Sequence, residues 1–214
     1  MPRKPRQQSE TGIYHIMTRG IDNKTIFRDS EDFRKFLFVI NDCKEHHNFK
    51  IYAYCLMDNH LHLLVRAYDC EWGAVFKRVG AKYVHWYNRK YNKKGPLFWG
   101  RFKSVAINTS EQFLTVLRYI HQNPIKAGIC DDINHYVWSS YGEYATKLPR
   151  LPGTVPKCMG QSPIPTICDV SPVFKIIDPA DFIDFHNFKP WEGTGDCPMG
   201  LGTVPGNIEE AKDS

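Results

Sequence analysis

Apolar and polar positions repeat with two different periods along the first 145 residues, and the switches between periods mark the elements. From Gly12 to Arg19, Ile13, His15 and Met17 alternate with Tyr14, Ile16 and Thr18, which predicts a strand buried on at least one face. Gly20-Ile21-Asp22-Asn23-Lys24 is turn chemistry, and Asp29 and Ser30 are N-cap candidates for a helix. Phe33, Phe36, Leu37 and Ile40 then recur at helical spacing and predict a first helix reaching Glu45. Alternation returns from Phe49 to Leu56 and again from His60 to Val65. Asp58-Asn59 lies between these runs, so the two strands are expected to pair as a hairpin. Glu71–Tyr91 reads as a second helix, with Val75, Val79, Tyr83, Trp86 and Tyr87 on one side and Lys77, Arg78, Lys82 and Arg89 on the other. Val105-Ala106-Ile107 is a fourth strand. Ser110 caps a third helix over Glu111–Gln122, which is expected to close at Asn123-Pro124 because the residue before a proline resists helical geometry. Residues 129–144, mixed and aromatic, are expected to pack as a short helix or loop.

The first six elements spell β-α-β-β-α-β. That is the ferredoxin-like split unit, an α+β fold in which a four-stranded antiparallel sheet carries two helices on one face. The opposite face is left for the third helix or for a ligand. From Leu148 onward Pro and Gly become frequent, and the chain reads as an extended appendage over 148–214, with one short helical piece at 178–185. Residues 1–10 read as a disordered basic arm.

Charge sharpens this division. Residues 1–150 carry 24 Lys and Arg against 14 Asp and Glu, whereas 151–214 carry 4 against 9. A basic body with interleaved aromatics points to a polyanionic partner such as nucleic acid, although solvated surface charge has the same composition. Seven cysteines without a C-x-x-C pair argue against a disulfide framework and a cysteine-based zinc site. No apolar run approaches spanning length, and no apolar segment comes after the basic N-terminus, so a cytoplasmic protein with no membrane partner is expected.

The chemistry is concentrated in Leu56-Met57-Asp58-Asn59-His60-Leu61-His62-Leu63-Leu64-Val65. On a strand, His60 and His62 point the same way, and Leu61, Leu63 and Val65 point the other way, towards a core. Two imidazoles side by side on an apolar strand need partners, and a divalent metal is the simplest that wants both. The spacing alone favours two half-exposed histidines on an open sheet face, because H-x-H also occurs by chance. Downstream, Tyr119 and Asn123 stand four apart in Leu117-Arg118-Tyr119-Ile120-His121-Gln122-Asn123-Pro124, one helical turn from each other on one face.

Taken together, these pieces resemble the single-tyrosine HUH transposases, most closely the REP-associated tyrosine transposases. The resemblance lies in the H-x-H strand, in Trp99-Gly100-Arg101-Phe102-Lys103-Ser104, in the helix ending Tyr-Ile-His-Gln-Asn-Pro-Ile-Lys-Ala-Gly, and in the opening Tyr14-His15-Ile16-Met17-Thr18-Arg19-Gly20. It covers about residues 11–147 and leaves the appendage without a counterpart. It implies a C-terminal catalytic helix presenting Tyr119 as nucleophile. It also implies a divalent Mg2+ or Mn2+ held by His60, His62 and Asn123, and a 5′-phosphotyrosine intermediate on single-stranded or hairpin DNA. A free phenol has a pKa of roughly 10, so a nearby cation and basic side chains would have to assist its attack.

Arg19, Lys24, Lys94, Arg101, Lys103 and Lys126 are candidates for phosphate contacts, and Trp99, Phe98 and Phe102 for stacking on unpaired bases. For Phe102 a place in the core is the stronger reading. His121 is assigned no role, and His15 is expected to serve packing beside the site. Relatives implied by the resemblance include dimers and monomers, mobile and domesticated proteins. Two rivals remain: a DNA-binding protein of the same fold without turnover, and an RNA-binding ferredoxin-like module. The second predicts aromatics rather than histidines at the centre of the sheet.

Overall fold

The alternation on either side of Asp58-Asn59 closes into the expected hairpin of β2 (Phe49–Met57) and β3 (His60–Ala67). β1 (Ile13–Arg19) lies against the other edge of β3, and β4 (Lys103–Ile107) against β1. The result is one antiparallel sheet in the order β2-β3-β1-β4. This computed structural model describes residues 7–67, 71–145 and Asp178; the expected helical piece at 178–185 and the rest of the appendage lie outside the described residues. Among the described residues no helix is long and apolar enough to cross a membrane.

Helix α1 (Ser30–His46) starts where the sequence places a cap. The Asp29 carboxylate accepts from the backbone N–H groups of Glu31 and Asp32, and Asp32 reciprocates, forming a capping box. Helix α2 (Trp72–Lys90) packs beside α1, and its last-turn Lys90 reaches back to Asp29, Glu31 and Asp32 at 2.8–2.9 Å. Between them Phe27, Phe36 and Tyr83 pack edge and face, and the Tyr83 hydroxyl donates to the Ile26 carbonyl at 2.6 Å. Leu61, Leu63 and Val65 are fully buried.

Paired residues on neighbouring strands share a face. The register therefore assigns the other face: His15, Met17 and Arg19 from β1, His60, His62 and Leu64 from β3, and Lys103 and Val105 from β4. Helix α3 (Ser110–Lys126) lies over this face, burying Phe113, Val116, Leu117 and Ile120.

Four expectations need correction. β4 begins two residues earlier, at Lys103 rather than Val105. Thr109, not Ser110, is the N-cap of α3, its hydroxyl accepting from the Gln112 N–H at 3.2 Å. The helix does not close at Asn123 but runs through Pro124 to Lys126. A proline leaves the carbonyl four residues back without its donor, here Ile120 O, and the Asn123 side-chain amide donates to it at 3.3 Å while also donating to Tyr119 O at 2.8 Å. Finally, Ser9 and Glu10 are not part of a disordered arm. Ser9 Oγ donates to the Ile107 carbonyl at 3.0 Å, and the Glu10 N–H donates to Asn108 Oδ1 at 3.1 Å; residues 1–6 lie outside the described residues.

The mixed segment after α3 has a definite task. It contains a 3-10 turn at Ile133–His135 and the short helix α4 (Tyr141–Ala145). Between them it runs along the edge of β2: Leu56 N–H donates to Trp138 O at 2.9 Å and Ser140 N–H to Tyr54 O at 3.0 Å. An otherwise open sheet edge is thereby paired. His121 secures this cover from α3, its Nε2 lying 2.8 Å from Ser140 Oγ. Farther along the same edge, Asp178 N–H donates to Ile51 O and its carboxylate pairs with Lys44, both at 2.7 Å.

Candidate active site

Three histidines and one tyrosine meet where α3 crosses the middle of the sheet. His60 and His62 stand two apart on β3, with ring centroids 5.1 Å apart. The Tyr119 ring approaches edge-on, 5.6 Å from His62 and 5.9 Å from His15. His15 Nε2 lies 3.0 Å from His62 Nδ1, and the two rings stack. The register explains the meeting. β1 and β3 run antiparallel with Met17 opposite His62 and Arg19 opposite His60, so β1 lays its own histidine along the same face. The contact that pairs His15 with His62 carries no local sequence signal, because it depends on how two distant strands align.

Burial dominates the electrostatics. It lowers His60 to about 4. Burial, with the nearby charge of Lys103 adding to it, lowers His15 to about 3. Burial and then the neighbouring histidines hold His62 well below its ordinary range. All three rings are therefore neutral near pH 7, the form in which imidazole binds metal.

The donor set fits a divalent cation. Asn59 Oδ1 lies 2.6 Å from His60 Nδ1 and accepts its hydrogen, which leaves the lone pair on Nε2. His62 Nε2 is buried and has no hydrogen-bond partner among the described residues. A buried polar atom left unpaired costs about 1–3 kcal/mol, and a ligand bond removes that cost. Among the described residues no cluster of three His, Cys, Asp or Glu has metal-holding geometry. A cation at the two imidazoles would thus keep open positions for other oxygens. The amide nitrogen of Asn123 is turned back onto the helix, so of its two polar atoms only the carbonyl oxygen is not committed there.

The sequence-predicted basic residues divide into groups. Arg19 sits across from His60, and its guanidinium lies 5.8 Å from the Trp99 ring centroid. Trp99 is 53% exposed, which leaves a face for stacking. Lys103 shares the histidine face of the sheet, and Lys126 Nζ lies 5.6 Å from the Tyr119 ring centroid. Lys24 and Lys94 are exposed in loops, Lys24 beside Asp22 at 4.0 Å. Arg101 is instead on the α2 side of the sheet, where with Lys77, Phe36, Phe76, Phe98 and Phe102 it lines a cavity of about 400 Å³. Phe102 packs on Phe76 at 4.6 Å and Phe98 on Tyr83 at 6.2 Å, so both belong to this packing rather than to the histidine site. Asn59, read from the sequence only as a turn residue, is the partner that sets the His60 ring.

No curated protein matches the chain. A solved REP-associated tyrosine transposase bound to a REP hairpin superposes with a TM-score of 0.61 at 16% identity, covering 78% of this chain and 100% of that one. It shows the same fold. A Deinococcus radiodurans protein described as a transposase covers 56% of this chain and 97% of its own at 15% identity, but its TM-score of 0.40 is too low to bear on the fold. The family model of IS200-like transposases matches residues 8–123, a span running from the first strand to Asn123 through every histidine and the tyrosine of the site. With that match extending over more than half its length, the chain belongs to the IS200-like transposase family.

Proposed function

We propose that this transposase is a metal-dependent nuclease and strand transferase for single-stranded DNA, with Tyr119 as its nucleophile. The observation that carries this reading is the edge-on approach of the Tyr119 ring to the His15–His62 pair, beside a buried His62 Nε2 that has no partner among the described residues. This reading requires one phosphate to bridge the Tyr119 oxygen and a cation held by the two β3 imidazoles.

His60 Nε2 and His62 Nε2 would hold Mg2+ or Mn2+, with the Asn123 carbonyl oxygen as the third protein ligand. The ion would act as a Lewis acid on the scissile phosphate, neutralising the charge that develops there. The Tyr119 oxygen attacks phosphorus, the bond from phosphorus to the 3′ oxygen breaks, and that oxygen leaves as a 3′-hydroxyl after taking a proton. The 5′ phosphate remains esterified to Tyr119, so the energy of the broken linkage is kept. Reversal onto another 3′-hydroxyl joins strands by the same chemistry.

The surroundings favour an unpaired strand. Trp99 and Arg19 flank His60 with an exposed aromatic face and a guanidinium, a pairing that suits stacking on a base and contact with the adjoining phosphate. Lys103 and Lys126 would add phosphate contacts on the same face. The solved relative bound to a REP hairpin supports hairpin-containing DNA as the substrate class.

The test is to incubate the protein with Mn2+ and labelled single-stranded hairpin oligonucleotides and to resolve the products on a denaturing gel. A labelled, protease-sensitive species that fails to form in chelator is expected. Binding without any such species, across hairpins of varied sequence, would favour a DNA-binding protein that lacks turnover.

A further inference from the structure

We infer that His15 is a positioning residue that fixes the tautomer of His62, so that the His62 lone pair faces the cation site. This rests on the reading that His60 and His62 hold a divalent cation, and adds to it a residue outside the ligand set.

Each ring nitrogen of a neutral imidazole is either a donor or an acceptor, never both. His15 Nε2 and His62 Nδ1 are 3.0 Å apart, so one hydrogen lies between them. The hydrogen resides on His62 or on His15. If His15 donates, His62 accepts at Nδ1 and carries its own hydrogen on Nε2, aimed into the site where it blocks a cation. If His62 donates from Nδ1, its Nε2 keeps a lone pair facing the same point. Only the second arrangement is compatible with ligation, and it requires an acceptor at the position of His15 Nε2. Both rings are sealed from water, His15 at 0% and His62 at 2% exposure, so solvent cannot take over the acceptor's part.

The two histidines of β3 are served alike. Asn59 Oδ1 stands behind His60 Nδ1 at 2.6 Å, and His15 Nε2 stands behind His62 Nδ1 at 3.0 Å, so each ligand has an acceptor at its back. Partners of this kind orient the ring and raise its basicity. The arrangement has a cost: His15 Nδ1 is left buried without a partner among the described residues. An ordinary packing residue at this position would be apolar, as Leu64, its register partner on β3, is.

The experiment uses the full chain and two readouts that do not depend on DNA cleavage. Mn2+ affinity is measured by electron paramagnetic resonance for the wild type, His15→Phe, His15→Gln, and a His60→Ala/His62→Ala control. The tautomer of His62 is read in the metal-free wild type by long-range proton–nitrogen NMR. His15→Phe keeps a ring against Tyr119 but offers no acceptor, whereas His15→Gln places a carbonyl near the lost nitrogen. Expected are a weakening of Mn2+ binding by about 10- to 100-fold in His15→Phe, recovery of most of it in His15→Gln, and His62 protonated at Nδ1. Unchanged Mn2+ affinity in His15→Phe, or a wild-type His62 protonated at Nε2, would overturn the inference while leaving the cation site standing. Equal Mn2+ binding by the wild type and the double alanine control would remove the cation site itself, and this inference with it. Should His15→Phe not fold, the wild-type tautomer alone decides.

Discussion

The two faces of the sheet are built from alternate residues of the same strands, yet they bury different groups. On the α1–α2 face, Leu61, Leu63 and Val65 meet the aromatic layer of Phe27, Phe36 and Tyr83, and the polar atom of Tyr83 has its hydrogen bond. On the α3 face, one residue along each strand, His15, His60 and His62 crowd together, and two of their buried nitrogens have no partner among the described residues. Burying polar groups unpaired works against stability. Among the described residues the α1–α2 face also buries unpaired polar atoms, Trp72 Nε1 and Ser104 Oγ, but the α3 face sets its unpaired ring nitrogens side by side on neighbouring strands. If the first face serves folding and the second the proposed chemistry, substitutions on the two should separate accordingly.

The largest separation is expected at Tyr119. Tyr119→Phe removes one oxygen from a half-buried ring and should lower covalent adduct formation by roughly 10⁴-fold or more, with the melting temperature and DNA affinity little changed. Adduct yield and a thermal melt on the same preparation check both halves. Next come paired substitutions on β3. Leu63→Ala should cost about 2–5 kcal/mol in denaturant unfolding while the folded fraction keeps its Mn2+ affinity. His60→Ala should do the reverse, abolishing tight Mn2+ binding with a stability change within about 1 kcal/mol, because its side chain is only half-buried. If both variants lose stability equally, the division between the faces fails.

Asn123 spans the division, since its amide patches the helix and its oxygen is the third ligand of the proposed cation site. Asn123→Ala should cost about 1–2 kcal/mol by stranding the Ile120 carbonyl, which Pro124 leaves without a backbone donor. Pro124→Ala returns a backbone donor to Ile120 O, so the double variant should be more stable than Asn123→Ala alone, as a double-mutant cycle in urea would show. The smallest effect is in pH. Burial holds His121 at about 3, below its ordinary 6.5, so the unfolded chain takes up the proton first as pH falls. Stability from this group is complete above pH 6.5 and is lost progressively from 6.5 towards 3, by at most about 1.4 kcal/mol per pH unit. His15, His60 and His62 shift in the same direction and steepen the same slope. His121→Gln should reduce that slope by about one proton, read from urea midpoints between pH 7 and 4.5.

What was legible in the sequence was what is local. The periods of two and three to four residues located every strand and long helix, and alternation alone put His60 and His62 on a face opposite Leu61 and Leu63. Helix spacing put Asn123 one turn from Tyr119. The rest depends on distant alignment or on one side chain replacing a backbone group. The His15–His62 contact arises from the β1–β3 register, which no window of residues around His15 contains. The continuation of α3 through Pro124 arises from the Asn123 amide, which overrides the usual restriction before proline. Arg101 sits in a motif with Lys103, yet the two diverge to opposite faces as the chain enters β4. The segment 138–144 has no periodic signal because its pairing is to the edge of β2 rather than within itself.

The central claim is that the Tyr119 oxygen becomes bonded to DNA phosphorus. Its most direct test is to form the adduct with a hairpin oligonucleotide and Mn2+, digest protein and DNA, and sequence the modified peptide by mass spectrometry. The account predicts a single nucleotide-bearing peptide spanning Tyr119, with the 5′ phosphate on the phenol oxygen. A phosphorylated residue elsewhere in the chain, or cleaved DNA with no modified peptide, would contradict it.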